Sequence, residues 1–581
     1  MVTRGRVSLA IVLLVVAAVG WTAWLGYRSY DGLRDSEAAI ADLRAAIDTG
    51  DASGQRSAVD DLQGAAAAVE GATGGWWWGA LTHMPVVGDD FTAVRVLGSV
   101  LDRVSTDGVD PLLAISGRLD QITGDGRIDL DVVRSLDQPL TEAADAFRVS
   151  AAETAEVDTD GLLGGLQGRY VDFEARVDEV AGSLEAGATA VKLLPAMTGG
   201  AGERNYLLIF QNNAEIRATG GLPGSWARLS ATGGALSLRE QGAWADFPTL
   251  QEPVLELSDA EQTALQGGYG LTFQSAGYSR DFPRAAEIWN AFWEIKYPDT
   301  DLDGVIAIDP VALSYLVEGT GPVQVGSATL TSDTLVRQVL SEPYLRLSDP
   351  AAQDAFFQAT ARSVFAAITA DLASPTEFVS GLARAVEEER FLVAPFVDSE
   401  AAELAGTRIA GELPSPDDDS PHVGVGLNDA TASKMSYYLR YDADVVAVSC
   451  GGDRQQLAGS MSLRQNISPA AAVRLPSYVT GSGAYGTEPG SQLLSVQVYG
   501  PAGGSFGPVQ VDGVPVEGLT TARLDNGQPV IRLPILVDSR DDVEVTWSME
   551  SGEGQVGDPV LSMTPSVVPG ERGGTSASAC E

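Results

Sequence analysis

The pattern of apolar and polar residues divides the chain into parts of different periodicity. An uncharged apolar run occupies residues 7–25, and helical spacing follows up to about residue 201. Strand-like and helical segments alternate from 202 to 413, and strand-like segments with Gly, Pro and Asp turns fill 423–570. The pattern predicts a multidomain α+β protein with an N-terminal transmembrane helix, a helical stalk or bundle, an α/β layered domain and a C-terminal antiparallel β-sandwich-like domain.

The domain boundaries follow from the same pattern. Residues 1–27 are expected to form a cytoplasmic N-terminus and membrane anchor, and residues 28–201 the stalk or bundle. The α/β domain is then 202–413 and the β region 423–570, separated by the Pro- and Asp-rich linker 414–422. Residues 571–581 have the composition of a disordered tail apart from any tether at Cys580.

The apolar run Val7–Leu25 is long enough to cross a bilayer as a helix. Arg4 and Arg6 precede it, so the positive-inside rule places the N-terminus in the cytoplasm and the bulk of the chain outside the cytoplasmic membrane. A cleaved signal peptide is the alternative, although the run is long for the apolar part of a signal peptide.

Helical spacing predicts six helices after the anchor. The first two are similar in length, so the chain travels outward and back. Trp76–Trp78 then return to the membrane surface, where indole rings favour the headgroup layer, or they cap the core of the bundle. The predicted helices are Gly32–Asp48, Gln55–Gly71, Phe91–Arg103, Pro111–Ile122, Leu130–Glu153 and Leu162–Leu194.

Three apolar runs open the α/β domain and predict consecutive strands at Asn205–Gln211, Trp226–Ser230 and Ala235–Arg239. The break after the first, Asn212–Gly221, carries more polar groups than a hairpin needs, so we expect a site there. The later elements predicted are the helices Ala285–Trp293, Val311–Val317, Thr331–Leu340, Asp354–Leu372 and Thr376–Glu389 and the strands Val305–Asp309 and Phe391–Phe396.

Alternation of apolar residues predicts seven strands in the β region. They are Val423–Leu427, Tyr437–Ser449, Gln456–Gln465, Leu494–Tyr499, Val509–Val511, Val530–Val537 and Val543–Met549.

Charge and residue counts exclude several classes of function. The chain has 79 acidic and 37 basic residues, a net charge of −42, which repels nucleic acid. His83 and His422 are the only histidines, and neither neighbours a nucleophile motif. Phosphate-binding glycine motifs are absent from the sequence. The only cysteines, Cys450 and Cys580, are expected to form a disulfide, with two free thiols as the alternative.

Three segments resemble a known family. They are QNNAEIRATGG at residues 211–221, Gly304–Val323 and Asn428–Leu439, and the chain after residue 70 resembles domain-of-unknown-function family 4012. That resemblance implies a membrane-anchored bacterial envelope protein of a type common in actinobacteria, with no assigned activity. The order of strand, polar Arg loop, strand, turn and strand is also similar in topology to the LytR-CpsA-Psr phosphotransferases. These move glycopolymers from a lipid pyrophosphate onto the cell wall.

The second resemblance implies a phosphoryl-transfer site, which needs cations on the phosphate oxygens and carboxylates for Mg²⁺. The candidates to bind phosphate are Arg217, Arg239, Arg280 and Arg284, with Arg228 as a further cation. Asp281 and Glu215 are the candidate catalytic residues, and Asp246 and Asp281 the candidate metal ligands. Against this, Arg239 and Asp246 are separated where those enzymes have adjacent residues. The alternative is that Glu215, Arg217, Arg280, Asp281 and Arg284 form structural ion pairs and helix caps.

Two functions follow from these expectations. In the first, the protein binds or transfers a lipid- or wall-linked phosphate sugar, with a polyprenyl-pyrophosphate glycopolymer or peptidoglycan as partner. It predicts that Arg217, Arg280 and Arg284 meet in one pocket beside an apolar groove. In the second, the protein is a non-catalytic scaffold or adhesion protein, and the same arginines are scattered and paired. Asn428, Asp429 and Lys434 are expected to be turn and strand-edge residues.

Overall fold

The computed structural model describes residues 2–49, 51–124, 126–265, 267–483, 485–540, 542–570 and 573–580, with the backbone alone for 2–19, 48, 52, 120 and 350. The chain forms two compact units. One contains Met1–Leu119 and Asp131–Leu194, and the other contains Asp120–Leu130 and Pro195–Glu581.

The first unit is helical. Its first two helices form a hairpin around a small core of Ala39, Val59 and Leu62. The Asp51 side chain caps the second of these helices by accepting a hydrogen bond from Ser53 N–H. The helices are α1 (Val2–Asp48), α2 (Ala52–Thr73), α3 (Trp76–Leu81), α4 (Gly88–Arg103), α5 (Val109–Ser116), α6 (Leu130–Ala155) and α7 (Gly164–Met197).

The predicted anchor, Val7–Leu25, lies within α1, but most of its side chains are outside the described residues. Among the side chains that the structure describes, no helix combines the length and the apolar character needed to cross a membrane.

The predicted helix Pro111–Ile122 is wrong at its end. Helix α5 stops at Ser116, and the chain then forms a short hairpin that belongs to the second unit. Ile128 N–H donates to the carbonyl of Gly234, which attaches this hairpin to the sheet of the α/β domain.

That sheet has seven strands, which are β1 (Thr123–Gly124), β2 (Arg127–Ile128), β3 (Arg204–Asn212), β4 (Leu222–Thr232), β5 (Ala235–Ala243), β6 (Gly304–Ile308) and β9 (Phe391–Pro395). Between β6 and β9 the chain forms a separate small hairpin, β7 (Val323–Val325) and β8 (Ala328–Leu330). The order of the seven strands is β1-β2-β5-β4-β3-β6-β9. Only the β3–β6 pair is parallel among the described strands of this sheet, so these two strands end at the same edge.

Helices cover both faces of this sheet, which confirms the predicted layered domain. Leu207 and Ile209 pack with Trp289 and Phe292 of the helix at 282–296, whereas Leu208 and Phe210 face the helices at 310–320, 332–340 and 350–368. The helices are α8 (Asp259–Ala264), α9 (Phe282–Lys296), α10 (Pro310–Thr320), α11 (Ser332–Leu340), α12 (Glu342–Arg346), α13 (Pro350–Ile368), α14 (Pro375–Glu387) and α15 (Asp398–Leu404).

Two further sheets pack face to face around an apolar core, as the strand pattern predicts for a sandwich. Their orders are β16-β17-β13-β10-β19 and β15-β14-β18-β12-β11-β20. The elements are β10 (His422–Asp429), β11 (Leu439–Gly451), β12 (Arg454–Gln465), α16 (Pro469–Ala472), α17 (Ser477–Thr480), β13 (Gln492–Tyr499), β14 (Ser505–Val511), β15 (Val514–Pro515), β16 (Thr521–Arg523), β17 (Pro529–Val537), β18 (Val543–Glu550), β19 (Val560–Met563) and β20 (Gly573–Thr575).

The end of the chain is part of the sandwich. Cys450 and Cys580 form the predicted disulfide, and β20 adds in parallel to β11. The expectation of a disordered tail is therefore wrong for residues 573–580. Contact between the domains is also wider than a linker implies, since Tyr499 and Val530 of the sandwich belong to the same core as α9.

Candidate functional site

The polar loop after β3 is a docking element between the two domains. Ile216, 1% exposed, inserts into the sandwich core. Its carbonyl accepts from Asp429 N–H at 3.0 Å, and its own N–H donates to Ser436 Oγ at 3.2 Å. Ala218 N–H donates to Asn428 Oδ1 at 3.1 Å. Most groups of this loop, which the sequence predicts to be a site, therefore contact the sandwich.

Arg217 takes part in the same contact. Its guanidinium is buried, donates from Nη1 to the Ile216 carbonyl at 2.8 Å, and lies 5.4 Å from the centre of the Tyr278 ring. Burial raises the pKa of neighbouring Asp429, and Arg217 acts in the opposite direction. A guanidinium held this way presents little free surface to an outside anion.

The other predicted phosphate-binding arginines have protein partners. Arg280 pairs with Glu389 at 2.7 Å and donates to the Val425 carbonyl of β10 at 3.3 Å. Arg284 bridges Glu261 and Glu287, each at 2.8 Å. The structure does not bring Arg217, Arg280 and Arg284 together in the pocket described below.

Asp281 caps α9, with Oδ1 accepting from Arg284 N–H at 3.3 Å. Burial raises the pKa of Asp281 to about 6, against the lowering effect of this hydrogen bond. The side chain thus has a structural task at a helix N-terminus.

The remaining predicted residues lie at the end of the sheet nearest β5. Arg239 is exposed, and Arg228 pairs with Glu240 at 2.6 Å. Asp246 accepts from Ala243 N–H at 2.8 Å and lies 3.9 Å from Lys296. No group of three or more His, Cys, Asp or Glu side chains within the described part of the chain is placed to hold a metal. Asp246 and Asp281 each accept a hydrogen bond from a backbone N–H three residues away.

A buried charge network lies where β6 meets α10. The Asp309 and Arg390 side chains, each 1% exposed, pair at 2.8 Å. Asp309 also caps α10 through Ala312 N–H and accepts from Asn213 Nδ2 at 2.8 Å. Arg390 further contacts Glu388 at 2.6 Å, and the network fixes the loop after β3 to β9.

A pocket of about 100 Å³ opens at the edge where the parallel strands β3 and β6 end, and we call it the sheet-edge pocket. The ends of parallel strands are the usual place for ligands in open α/β sheets. Its walls are apolar, formed by Phe210, Leu222, Ile308, Leu313, Leu340 and Phe357. Its polar lining contains Gln211, Asn212, Glu215, Asp354, Thr360 and Lys434, and its aromatic rim is Trp244, Tyr344 and Tyr478.

Two polar groups in this pocket have no hydrogen-bond partner within the described part of the chain. Gln211 Nε2 and Thr360 Oγ1 belong to side chains that are each 4% exposed, and both are unsatisfied among the described residues. A buried donor or hydroxyl without a partner costs about 1–3 kcal/mol, so such groups point to a missing ligand or water.

Lys434 is the only Lys or Arg among the residues that line the pocket, and it is already paired. Its Nζ lies 2.7 Å from Glu215 Oε1, 4.6 Å from the centre of the Tyr344 ring and 4.1 Å from that of Tyr478. Burial acts to lower the pKa of Lys434, but Glu215 and Tyr478 outweigh it and the pKa lies above its usual value. The ammonium group therefore stays charged and held.

Asp354 adds negative charge to the pocket. Burial and then the nearby Asp246 raise the pKa of Asp354. With Glu215 neutralised by Lys434, the pocket carries no net positive charge, which does not suit a pyrophosphate group.

Of the pocket residues, sequence reasoning placed Asn212 and Glu215 in a site, through the polar break Asn212–Gly221. Lys434 is one of three lysines in an arginine-rich chain and lies in the recognised segment Asn428–Leu439, which is a signal that could have found it. Gln211 likewise opens the segment at 211–221. Thr360, Trp244 and Tyr478 carry no local signal, because the fold alone brings them to β3.

The fold and the pocket define a three-layer α/β domain with a binding pocket at the ends of its parallel strands, completed by a β-sandwich. Residues 201–344 match the family described as "Protein of unknown function (DUF4012)", which confirms that resemblance for this segment. The matched segment includes Gln211, Glu215 and Tyr344 but not Thr360, Lys434 or Tyr478. No curated protein and no solved structure matches the chain significantly.

Proposed function

We propose that this chain is a membrane-anchored, extracytoplasmic protein of the cell envelope that binds the sugar part of a lipid- or wall-linked glycopolymer. The sheet-edge pocket holds the sugar, and the protein does not transfer it. The observation that carries the proposal is the combination, in one apolar-walled pocket, of an aromatic rim with two polar atoms, Gln211 Nε2 and Thr360 Oγ1, that have no partner among the described residues.

A sugar ring combines apolar C–H faces with hydroxyl groups, and the pocket offers partners for both. Trp244 and Tyr478, 37% and 51% exposed, present aromatic surface at the rim. Gln211 Nε2 and Thr360 Oγ1 offer hydrogen bonds below it, together with the Asp354 carboxylate. A volume of about 100 Å³ is smaller than pockets that enclose a whole small molecule, so it suits one end group of a long ligand.

Binding is favoured over transfer because the predicted cations are committed elsewhere. Arg217, Arg280 and Arg284 contact backbone carbonyls or carboxylates, and Lys434 pairs with Glu215. Phosphoryl transfer needs several free cations around one phosphate. The phosphate of the ligand is therefore expected to remain outside the pocket.

Binding to the purified full chain tests this proposal with three probes. They are a peptidoglycan disaccharide, the same sugar on polyprenyl diphosphate, and polyprenyl diphosphate alone. We expect the two sugar-bearing probes to bind and the third not to bind. Tight binding of polyprenyl diphosphate alone, or loss of the diphosphate on incubation, would overturn the proposal.

Thr360→Val is the sharpest variant, because it removes an unpartnered hydroxyl without breaking a described hydrogen bond. We expect affinity for the sugar probes to fall about tenfold, the value of one hydrogen bond of about 1.4 kcal/mol, with stability unchanged or raised. Thr263→Val, on the exposed side of α8, is the matched control and should leave the affinity unchanged.

A further inference from the structure

A second surface of interest lies on the helical unit and shares no residue with the sheet-edge pocket. It consists of Trp21 and Trp24 of α1, Trp76 of α3, and Met84 and Val86 of the turn that follows, and we call it the aromatic collar. These side chains are exposed to 50%, 46%, 81%, 46% and 81%, respectively. Five large apolar side chains exposed in this way indicate a surface that contacts another molecule when the protein functions.

Contacts within the unit hold the collar in place. Trp77 Nε1 donates to Thr22 Oγ1 at 3.1 Å, which ties α3 to α1. Trp78, 2% exposed, packs edge-on against Phe91 and belongs to one cluster with Leu25. Trp78 therefore completes the core of the bundle and Trp77 packs partly against it, while Trp76 is turned outward.

The turn after α3 is held in a costly conformation. Val86 has a φ of 77°, in the left-handed region, although its side chain is branched at Cβ and exposed. That conformation costs roughly 1–2 kcal/mol for a non-glycine residue. Strain of this kind at an exposed apolar residue is consistent with a role in contact with a partner.

The charge around the collar identifies the partner. Residues 1–30 and 71–88 contain no Asp or Glu, although the chain has 79 acidic residues. The guanidinium of Arg28 lies 5.4 Å from the centre of the Trp24 ring. Stretches of chain that contain no carboxylate and include an arginine suit anionic lipid headgroups, and the nearest acidic residues in sequence, Asp31, Glu70 and Asp89, border these stretches.

Continuity along α1 points to the same partner. The uncharged apolar run at residues 7–20 leads directly into Trp21 in the sequence of one helix. Trp21 and Trp24 are separated by about 4.5 Å along a helix axis, within the roughly 5–8 Å depth of a headgroup layer. Indole rings favour that layer.

We infer that the aromatic collar lies in the headgroup layer of an anionic membrane and gives the protein a second contact beside its anchor. Trp76, Met84 and Val86 enter the layer next to α1, so that α3 rests on the lipid surface. This inference rests on the membrane placement in the proposed function but is independent of the sugar pocket.

Fluorescence of the full chain in phosphatidylglycerol-containing vesicles tests the inference, with lipids brominated near the headgroup or deep in the acyl chain. The difference between wild type and Trp76→Phe isolates the Trp76 signal. We expect shallow bromines to quench that signal at least twofold more than deep ones. Trp547→Phe, in the core of the β-sandwich, is the control and should leave the quenching unchanged.

Vesicle flotation distinguishes failure of the membrane anchor from failure of the collar proposal. A chain that does not float overturns both the anchor and the collar. If it floats but Trp76 is not quenched, the collar proposal alone fails, and sugar binding is unaffected. A change of oligomeric state in Trp76→Phe, without quenching in the wild type, would assign the surface to a second copy instead. Val86→Asp should reduce Trp76 quenching more in anionic than in zwitterionic vesicles.

Discussion

At the scale of single residues, the polar groups that the sequence offers as a site are mostly structural. Arg217, Arg280 and Arg284 each have partners in the fold. Asn428 and Lys434, expected at turns and strand edges, are 0% and 5% exposed. The difference arises because their burial depends on the docking of a segment about 210 residues away, as in the bond from Ala218 to Asn428. Local polarity carries no information on such docking.

Asp309 is expected to be among the most sensitive polar residues of the α/β domain. Asp309→Ala removes the cap of α10 and one of the carboxylates around the buried Arg390, so we expect a loss of about 3 kcal/mol in unfolding free energy. Asp349→Ala, at the exposed cap of α13, should cost about 1 kcal/mol. Urea unfolding of both variants measures the difference, and equal losses would contradict the importance of the buried network.

Asp281 is expected to make stability fall as the pH rises. Its pKa in the folded protein, about 6, lies above the ordinary value of 3.8. Between pH 4 and 6 the folded state therefore retains a proton that the unfolded state has lost, and stability falls by up to about 3 kcal/mol. Below pH 4 both states are protonated and the full contribution is present.

Asp281→Asn, which stays neutral and can still cap α9, should remove this dependence. The melting temperature of the variant relative to wild type should rise from pH 4 to 6.5. Asp349→Asn, at the N-cap of α13, controls for the effect of replacing a capping Asp by Asn. If the melting temperatures of Asp281→Asn and wild type differ by the same amount over this pH range, burial does not hold the proton on Asp281.

At the scale of elements, the periodicity of the sequence located most of the long helices and strands. The predicted helix Ala285–Trp293 is the centre of α9, Phe282–Lys296, because its aromatic residues recur on one side. The hairpin β1–β2 was missed because its strands have two residues each, too few to show alternation. Its register with β5, Arg127 opposite Ala235, also depends on residues far along the chain.

The loop after β3 is expected to join two domains into one cooperative unit. Ile216→Ala creates a cavity in the sandwich core, although the residue belongs to the α/β domain, and should cost about 2–4 kcal/mol. Hydrogen exchange should accelerate in β10 and β13 as well as in β3. Ile295→Ala, at a 51% exposed position of α9, should change stability by less than about 0.5 kcal/mol. Faster exchange confined to β3 would mean that the domains unfold separately.

At the scale of the whole molecule, the disulfide ties the last described residues to the sandwich. Cys450 and Cys580 are 130 residues apart, and closing a loop of that length stabilises the fold by up to about 5 kcal/mol in the chain-entropy model. The double variant Cys450→Ser, Cys580→Ser should lose stability and release β20 to proteolysis. Reductant should reproduce the effect in wild type and do nothing to the variant. Protection of residues 573–580 in the reduced protein would contradict this.

The order of the strands in the sandwich has a consequence for how the protein is made. β10 and β11 take neighbours, β19 and β20, from the last part of the chain. Because the chain is synthesised from its N-terminus, the edges of β10 and β11 stay unpaired until residues 560–575 have been made, and unpaired edges invite aggregation. We expect a nonsense mutation near residue 555, which removes β19 and β20, to give an insoluble product.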